Sequence, residues 1–91
     1  MLEIHCTVSG LVQQVSYRVY VQDSATELGV VGWVRNCSDG TVELLAQADR
    51  DTLKDFVEYL NEGSLKAKVE SVSVDWRSVD SEHDDFSINY V

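Results

Sequence analysis

The residues best suited to chemistry lie in two stretches, Gly10-Leu-Val-Gln-Gln-Val-Ser-Tyr-Arg18 and Leu28-Gly-Val-Val-Gly-Trp-Val-Arg-Asn36-Cys-Ser-Asp-Gly40. The first reads as a loop whose backbone amides lead into a helix that begins with an arginine. Such a loop collects N–H groups without partners at the positive end of the helix dipole, and it favours anions. An arginine in a first helical turn is unfavourable on its own by about 0.3–1 kcal/mol. Arg18 makes better sense there with an anion between it and the amides, because its planar fork can grip two oxygens. The second stretch reads as a strand that carries Asn36 and closes in an Asp-Gly turn. An amide cradle, a guanidinium and a neutral polar side chain are the parts needed to hold a phosphate and orient a water.

Each of these residues also has an ordinary reading. Arg18 can be a surface arginine, Asn36 a turn residue before Asp39-Gly40, and Gln13 an exposed loop residue. Tyr17 and Trp33 read as packing residues. The elements around them narrow the choice. Residues 2 to 9 alternate, with Leu2, Ile4, Cys6 and Val8 on one side and Glu3, His5, Thr7 and Ser9 facing water. Gly10 is expected to end that strand. Tyr17, Val21, Ala25 and Leu28 then share a helical face, with Gly29 as C-terminal cap. Residues 30–37 and 41–48 read as a hairpin joined through Ser38-Asp39-Gly40, with Val42, Leu44 and Ala46 inward. Leu53, Phe56, Val57 and Leu60 mark a second helix, capped by Asp49 or Asp51 and ended by Gly63. Residues 67–77 form a further strand with Val72, Val74 and Trp76 on one side. The acidic stretch Asp80 to Asp85 is a solvated loop, and Phe86, Ile88 and Tyr90 alternate in a short last strand.

The order is β-α-β-β-α-β plus a terminal strand, which is the ferredoxin-like split βαβ plan of an α+β protein. Right-handed crossovers place both helices on one face and give strand order 4-1-3-2 with the first strand central. Residues 1–91 read as a single domain. In that order Cys6 and Cys37 lie on strands separated by a third. They are nearly 10 Å apart at about 4.8 Å per strand step, beyond the roughly 7 Å a disulfide allows. Both are expected as free thiols.

Composition excludes several classes of function. Hydrophobic residues make up 44% of the chain, enough for a core. Lys and Arg number 7 against 16 acids, a net charge of −9, which repels nucleic acid and anionic membranes. Residues 1–40 hold four acids against Arg18 and Arg35, a net −2, so the other −7 lies beyond residue 40. An anionic ligand meets the less repulsive part at the cradle. No run is long enough for a membrane helix. The opening Met-Leu-Glu-Ile-His-Cys lacks the pattern of a signal peptide, so a cytoplasmic location is expected.

The two stretches together resemble the acylphosphatase family. The first, Gly10-x-Val12-Gln13-x-Val15-x-Tyr17-Arg18, is similar to its signature. The second, Leu28-Gly29-x-x-Gly32-Trp33-Val34-x-Asn36-x-x-Asp39-Gly40-x-Val42, is similar to its second block. The likeness runs on to the Asp85-Phe86-x-Ile88 ending. It implies a metal-independent, cofactor-free hydrolase of acyl phosphates that also binds inorganic phosphate or sulfate, as a monomer. It implies a cradle over residues 11–18 that uses Gln13, Gln14, Val15, Ser16, Tyr17 and Arg18. By the same resemblance Arg18 holds the phosphate and Asn36 positions the attacking water.

Gln14 departs from the pattern, standing where the family has glycine. Glycine there permits positive φ and close backbone approach to the anion, so attenuated activity is expected. Ala48 and Leu65 are smaller departures, replacing the usual glycine and proline. The rival within this fold is a low-activity or inactive phosphate-binding module. An RNA-binding module would need basic and aromatic residues on the central strands, where the first strand offers Glu3, His5 and Thr7. A metal carrier would need a cysteine pair in residues 9–18, which hold none.

Overall fold

The alternating segment at the start of the chain becomes a central strand of the sheet. A computed structural model of the chain describes residues 1–14 and 16–90. Its elements are β1 (Leu2–Leu11), α1 (Tyr17–Leu28), β2 (Val31–Asn36), β3 (Val42–Ala48), α2 (Arg50–Glu62), β4 (Lys68–Arg77) and β5 (Phe86–Asn89). The sheet order is β4-β1-β3-β2-β5. The β1–β3, β1–β4 and β2–β3 pairs are antiparallel, and β5 pairs in parallel with β2. This is the expected order 4-1-3-2, extended by the last strand at the edge beyond β2.

Ile4, Cys6 and Val8 of β1 and Val42, Leu44 and Ala46 of β3 form one buried cluster with Val21 and Ala25 of α1 and Leu53, Phe56 and Leu60 of α2. Both helices therefore cover the same sheet face. Cys6 and Cys37 are free. Burial pushes the Cys6 thiol up to about 12, so it behaves as a small apolar core residue. Asp49 is the cap of α2, its side chain accepting from the Thr52 amide at 2.8 Å. Gly29 caps α1 in the left-handed conformation.

Two details differ from the sequence reading. Gly10 does not end the first strand, which runs on to Leu11 through a register shift between Ser9 and Gly10 in its pairing with β4. At φ 122 a Cβ on Gly10 would lie 2.1 Å from the Lys68 carbonyl oxygen. The glycine thus allows a bulge that bends the strand toward the following loop.

The outer sheet face is also less wet than alternation implied. His5 Nε2 donates to Glu43 Oε2 at 2.6 Å, and Arg35 Nε donates to Glu43 Oε1 at 2.6 Å. Glu3 and Gln47 are buried. Gln47 Nε2 donates to Glu3 Oε1 and to the Ser81 carbonyl, while its Oε1 accepts from the His83 amide. That set of bonds straps the acidic 80–85 loop across the end of the sheet on its way to β5. Periodicity assigned Glu3 to solvent because the strap comes from a distant segment. Trp76 is 43% exposed on the edge strand, with the Arg50 guanidinium 5.9 Å from its ring centre.

Two stability predictions follow from these contacts. Gly32 has φ 143, and a Cβ there would sit 1.9 Å from the Leu45 carbonyl oxygen. Gly32→Ala should cost about 2–5 kcal/mol from backbone strain and overpacking together, read as a lower urea midpoint. For Glu43, burial acts to raise the carboxyl, but the bonds from His5 and Arg35 outweigh it and hold the group below its usual 4.5. The folded chain then binds this proton more weakly than the unfolded one. The contribution is complete above the unfolded value and fades as pH falls through the folded value. Glu43→Gln should cost about 1–2 kcal/mol at pH 7 and leave a shallower loss of stability between pH 5 and 3. An unchanged acid-side slope would contradict this account of Glu43.

Candidate active site

The strand-to-helix loop is shaped by two residues in the left-handed region. Gln14 and Ser16 both have φ 60, and they are the positive-φ residues other than glycine among those described. Ser16 is the N-cap of α1, with ψ 22 and no side-chain capping bond. The first helical hydrogen bond runs from the Tyr20 amide to the Ser16 carbonyl at 3.1 Å. The amides of Tyr17, Arg18 and Val19 precede it and have no partner within the helix. No acidic side chain occupies the first turn. The N-terminus of α1 thus presents positive ends of peptide dipoles without an internal counter-charge.

The loop is held from both sides. Gln13 Nε2 donates to the Cys37 carbonyl at 2.8 Å and to the Thr41 carbonyl at 2.9 Å. One side chain therefore ties the loop to both arms of the β2–β3 hairpin. On the helix side, the Tyr17 hydroxyl donates to the Leu60 carbonyl and the Tyr20 hydroxyl to the Tyr59 carbonyl, each at 2.7 Å. Both carbonyls lie in the last turn of α2, where the Tyr59 carbonyl also accepts from the Gly63 amide at 3.1 Å. Two tyrosines thereby dock the start of α1 on the end of α2. Burial raises the Tyr17 hydroxyl above its ordinary range, with Tyr20 and Cys6 adding to the effect, so it stays a neutral donor.

Arg18 projects from the first turn. Its guanidinium lies 5.0 Å from the ring centre of Tyr90, and no Asp or Glu among the described residues forms an ion pair with it. A cavity of about 320 Å³ lies here, lined by Val12, Gln14, Ser16, Tyr17, Arg18, Val19, Ile88 and Tyr90. Asn36 ends β2 opposite Val42. Its Oδ1 is buried and has no hydrogen-bond partner among the described residues. A buried polar oxygen left without a donor costs about 1–3 kcal/mol, so its retention calls for an explanation. The Asp39 carboxylate accepts from the Thr41 hydroxyl and amide, which holds it below its ordinary range and closes the turn after Asn36.

The structure gathers Gln14, Ser16, Tyr17 and Arg18 around one cavity. Asn36 is outside that lining and is joined to the loop through Gln13 and the hairpin carbonyls. Val15 lies outside the described residues. Gln13 is a clamp as well as a loop residue. No feature of one sequence announces that role, because its acceptors are backbone carbonyls 24 and 28 residues further on. Alternation places Tyr90 in the short last strand with Phe86 and Ile88. Instead β5 ends at Asn89, and Tyr90 is 78% exposed with its ring against Arg18. Among the described residues no group of three or more His, Cys, Asp or Glu side chains is arranged to hold a metal ion. No helix among them is long and apolar enough to cross a membrane.

This geometry has close counterparts. The Acylphosphatase family model matches residues 4–88. The acylphosphatase of Pelotomaculum thermopropionicum is 40% identical over 86 residues, covering 94% of each chain. The crystal structure of acylphosphatase from Bacillus subtilis superposes with a TM-score of 0.96 at 40% identity, over 99% of this chain and 100% of that one. An acylphosphatase from Coxiella burnetii gives 0.90 at 41% identity, over 96% and 90%. The chain belongs to the acylphosphatase family.

The Gln13 clamp generates a direct test. Gln13→Ala removes two hydrogen bonds between loop and hairpin. Backbone order parameters at Gln14 and Ser16 should fall into the flexible range, below about 0.6, while those of α2 stay rigid. Unchanged order parameters in the loop would mean that the clamp does not hold the loop.

Proposed function

We propose that the chain hydrolyses acyl phosphates to a carboxylate and inorganic phosphate, with the phosphate held by the 11–18 loop and Arg18 and the water oriented by Asn36. One observation carries this reading. A first-turn arginine without an acidic partner among the described residues stands at helix amides that precede the first intrahelical bond. A dianionic phosphoryl group satisfies both at once. The guanidinium takes two oxygens and the amides take others.

An acyl phosphate is a mixed anhydride, so the reaction needs little beyond positioning and charge stabilisation. Water attacks phosphorus in line with the bond to the acyl oxygen. That P–O bond breaks, and its electron pair leaves with the carboxylate. The carboxylate is a weak base and departs without a proton donor. The proton lost by water goes to a phosphate oxygen of the substrate, so no side chain has to act as general base. The buried Oδ1 of Asn36 can accept a hydrogen bond from the attacking water and set its direction. Tyr90 limits the orientations open to Arg18 by stacking on its guanidinium.

Gln14 favours a second reading, a phosphate-binding module with low or no turnover. A non-glycine residue in the left-handed region costs of order 1–3 kcal/mol, and this loop carries two such residues. Hydrolysis of a simple acyl phosphate by purified protein in EDTA, beside Arg18→Ala, separates the readings. EDTA should leave turnover unchanged. Arg18→Ala should weaken phosphate affinity and lower kcat together, each by 10-fold or more. Asn36→Ala should spare phosphate affinity and lower kcat. Equal loss of phosphate affinity in both variants would remove the division of labour.

Replacing Gln14 by glycine tests the cost of the loop. Gln14→Gly should raise kcat/KM about 5-fold or more, the lower end of the strain estimate. The measurement belongs well below the melting temperature, since glycine also adds freedom to the unfolded chain. An unchanged or lower kcat/KM would show that Gln14 fits the cradle without loss. Phosphate binding without turnover in both forms would favour the binding module.

A further inference from the structure

A second cavity lies at the far end of the sheet from the cradle. Its volume is about 460 Å³, and it is lined by Leu2, Arg50, Lys54, Trp76, Arg77 and Ser78. Leu2 opens β1 and Arg77 closes β4, whereas the cradle begins after Leu11, which pairs with Lys68 at the other end of the same two strands. The two cavities share no lining residue.

The charge of this lining is anomalous for the molecule. The chain has 7 Lys and Arg against 16 acids. Three of those seven cations line this one cavity, and none of the acids does. The cavity beside Leu28 shows the opposite pattern, with Asp55, Glu58 and Glu62 in its wall. Among the described residues Arg77 has one acidic partner, Asp75, at 3.0 Å, and that carboxylate is 67% exposed. Arg50 has its guanidinium against the indole of Trp76. Like charges at a short reach repel, so gathering three of them on a strongly acidic chain favours an anion in their midst.

Trp76 makes the anion more specific. Its indole is 43% exposed on an edge strand, and it forms a wall of the cavity. An exposed indole beside arginines offers a stacking surface for a planar ring, with cations in reach of a phosphate attached to that ring. The volume falls in the range of small-molecule sites. Ser78 adds a hydroxyl at the rim for a sugar or phosphate oxygen.

We infer that this cavity binds a nucleoside phosphate, with the base on Trp76 and the phosphate among Arg50, Lys54 and Arg77. The site is separate from the proposed hydrolytic centre, and it depends on neither Arg18 nor Asn36. A free base lacks the charge these cations select. A bare phosphate lacks the ring that the indole selects. The ligand that uses the whole wall carries both.

Amide and indole spectra of the ¹⁵N-labelled protein, titrated with AMP, test this. The Trp76 indole N–H and the amides of Arg50, Lys54 and Arg77 should shift together and saturate in the submillimolar to low millimolar range, in Arg18→Ala as in the parent protein. Arg50→Ala with Lys54→Ala should weaken AMP binding 10-fold or more. Trp76→Ala should weaken it at least about 5-fold, from the loss of base stacking. Acyl phosphate hydrolysis should stay within twofold in the Arg50→Ala with Lys54→Ala double variant and in Trp76→Ala. Because both lysine and arginine changes lie on the exposed side of α2, they keep the test decisive if the tryptophan variant folds poorly. No shift at Trp76 up to 10 mM AMP would overturn the inference. So would inorganic phosphate or pyrophosphate binding here as tightly as AMP, or saturation that disappears in Arg18→Ala.

Discussion

The candidate site depends on how the chain turns from β1 into α1 with the amides of Tyr17, Arg18 and Val19 left without partners within the helix. Peptide N–H groups ordinarily find partners. Here the left-handed conformations of Gln14 and Ser16 turn the backbone out of the strand, and Ser16 supplies no side-chain cap. The cost is offset by bonds made outside the turn. Gln13 fixes one end to the hairpin, and Tyr17 and Tyr20 fix the other to the last carbonyls of α2. A loop so anchored loses less entropy on binding an anion than a free one.

The rest of the fold serves these anchors. The central position of β1 lets it pair with β3 and β4, which holds the strand that feeds the turn. Gly10 lets β1 bulge against β4 one residue before Leu11. Gly32 lets β2 lie close on β3, so the hairpin brings Asn36 and the carbonyls of Cys37 and Thr41 to the same end of the sheet. β5 runs parallel to β2 and delivers Tyr90 to the guanidinium of Arg18. Each part of the site comes from a different segment, and the sheet register sets their spacing.

Much of this plan is legible in the chain. Alternation in residues 2–9, helical spacing from Tyr17 to Leu28 and the Asp39-Gly40 turn depend on neighbours a few residues apart; the helix and the turn formed where the pattern put them, and the strand formed but ran past Gly10 to Leu11. The features that escaped a sequence reading depend on distant partners. Glu3 is buried because Gln47 and the 80–85 loop close over it. Gln13 works as a clamp because two carbonyls of a hairpin lie within its reach. Tyr90 meets Arg18 only because β5 joins the sheet beside β2. Alternation reports which face a residue takes, and it is silent on what later covers that face. Gln14 is an instructive intermediate case. Its residue type argues against positive φ, yet the anchors on either side impose it, a tertiary constraint overriding a local preference.

The central claim is that this turn and Arg18 together form the phosphate site. The most direct measurement follows backbone amide shifts while inorganic phosphate is added to the protein in EDTA. The account predicts saturable shifts centred on Ser16, Tyr17, Arg18 and Val19, with the Asn36 side-chain amide perturbed and the α2 amides still. Shifts that remain flat at these four residues at tens of millimolar phosphate, while acyl phosphate is still hydrolysed, would contradict it.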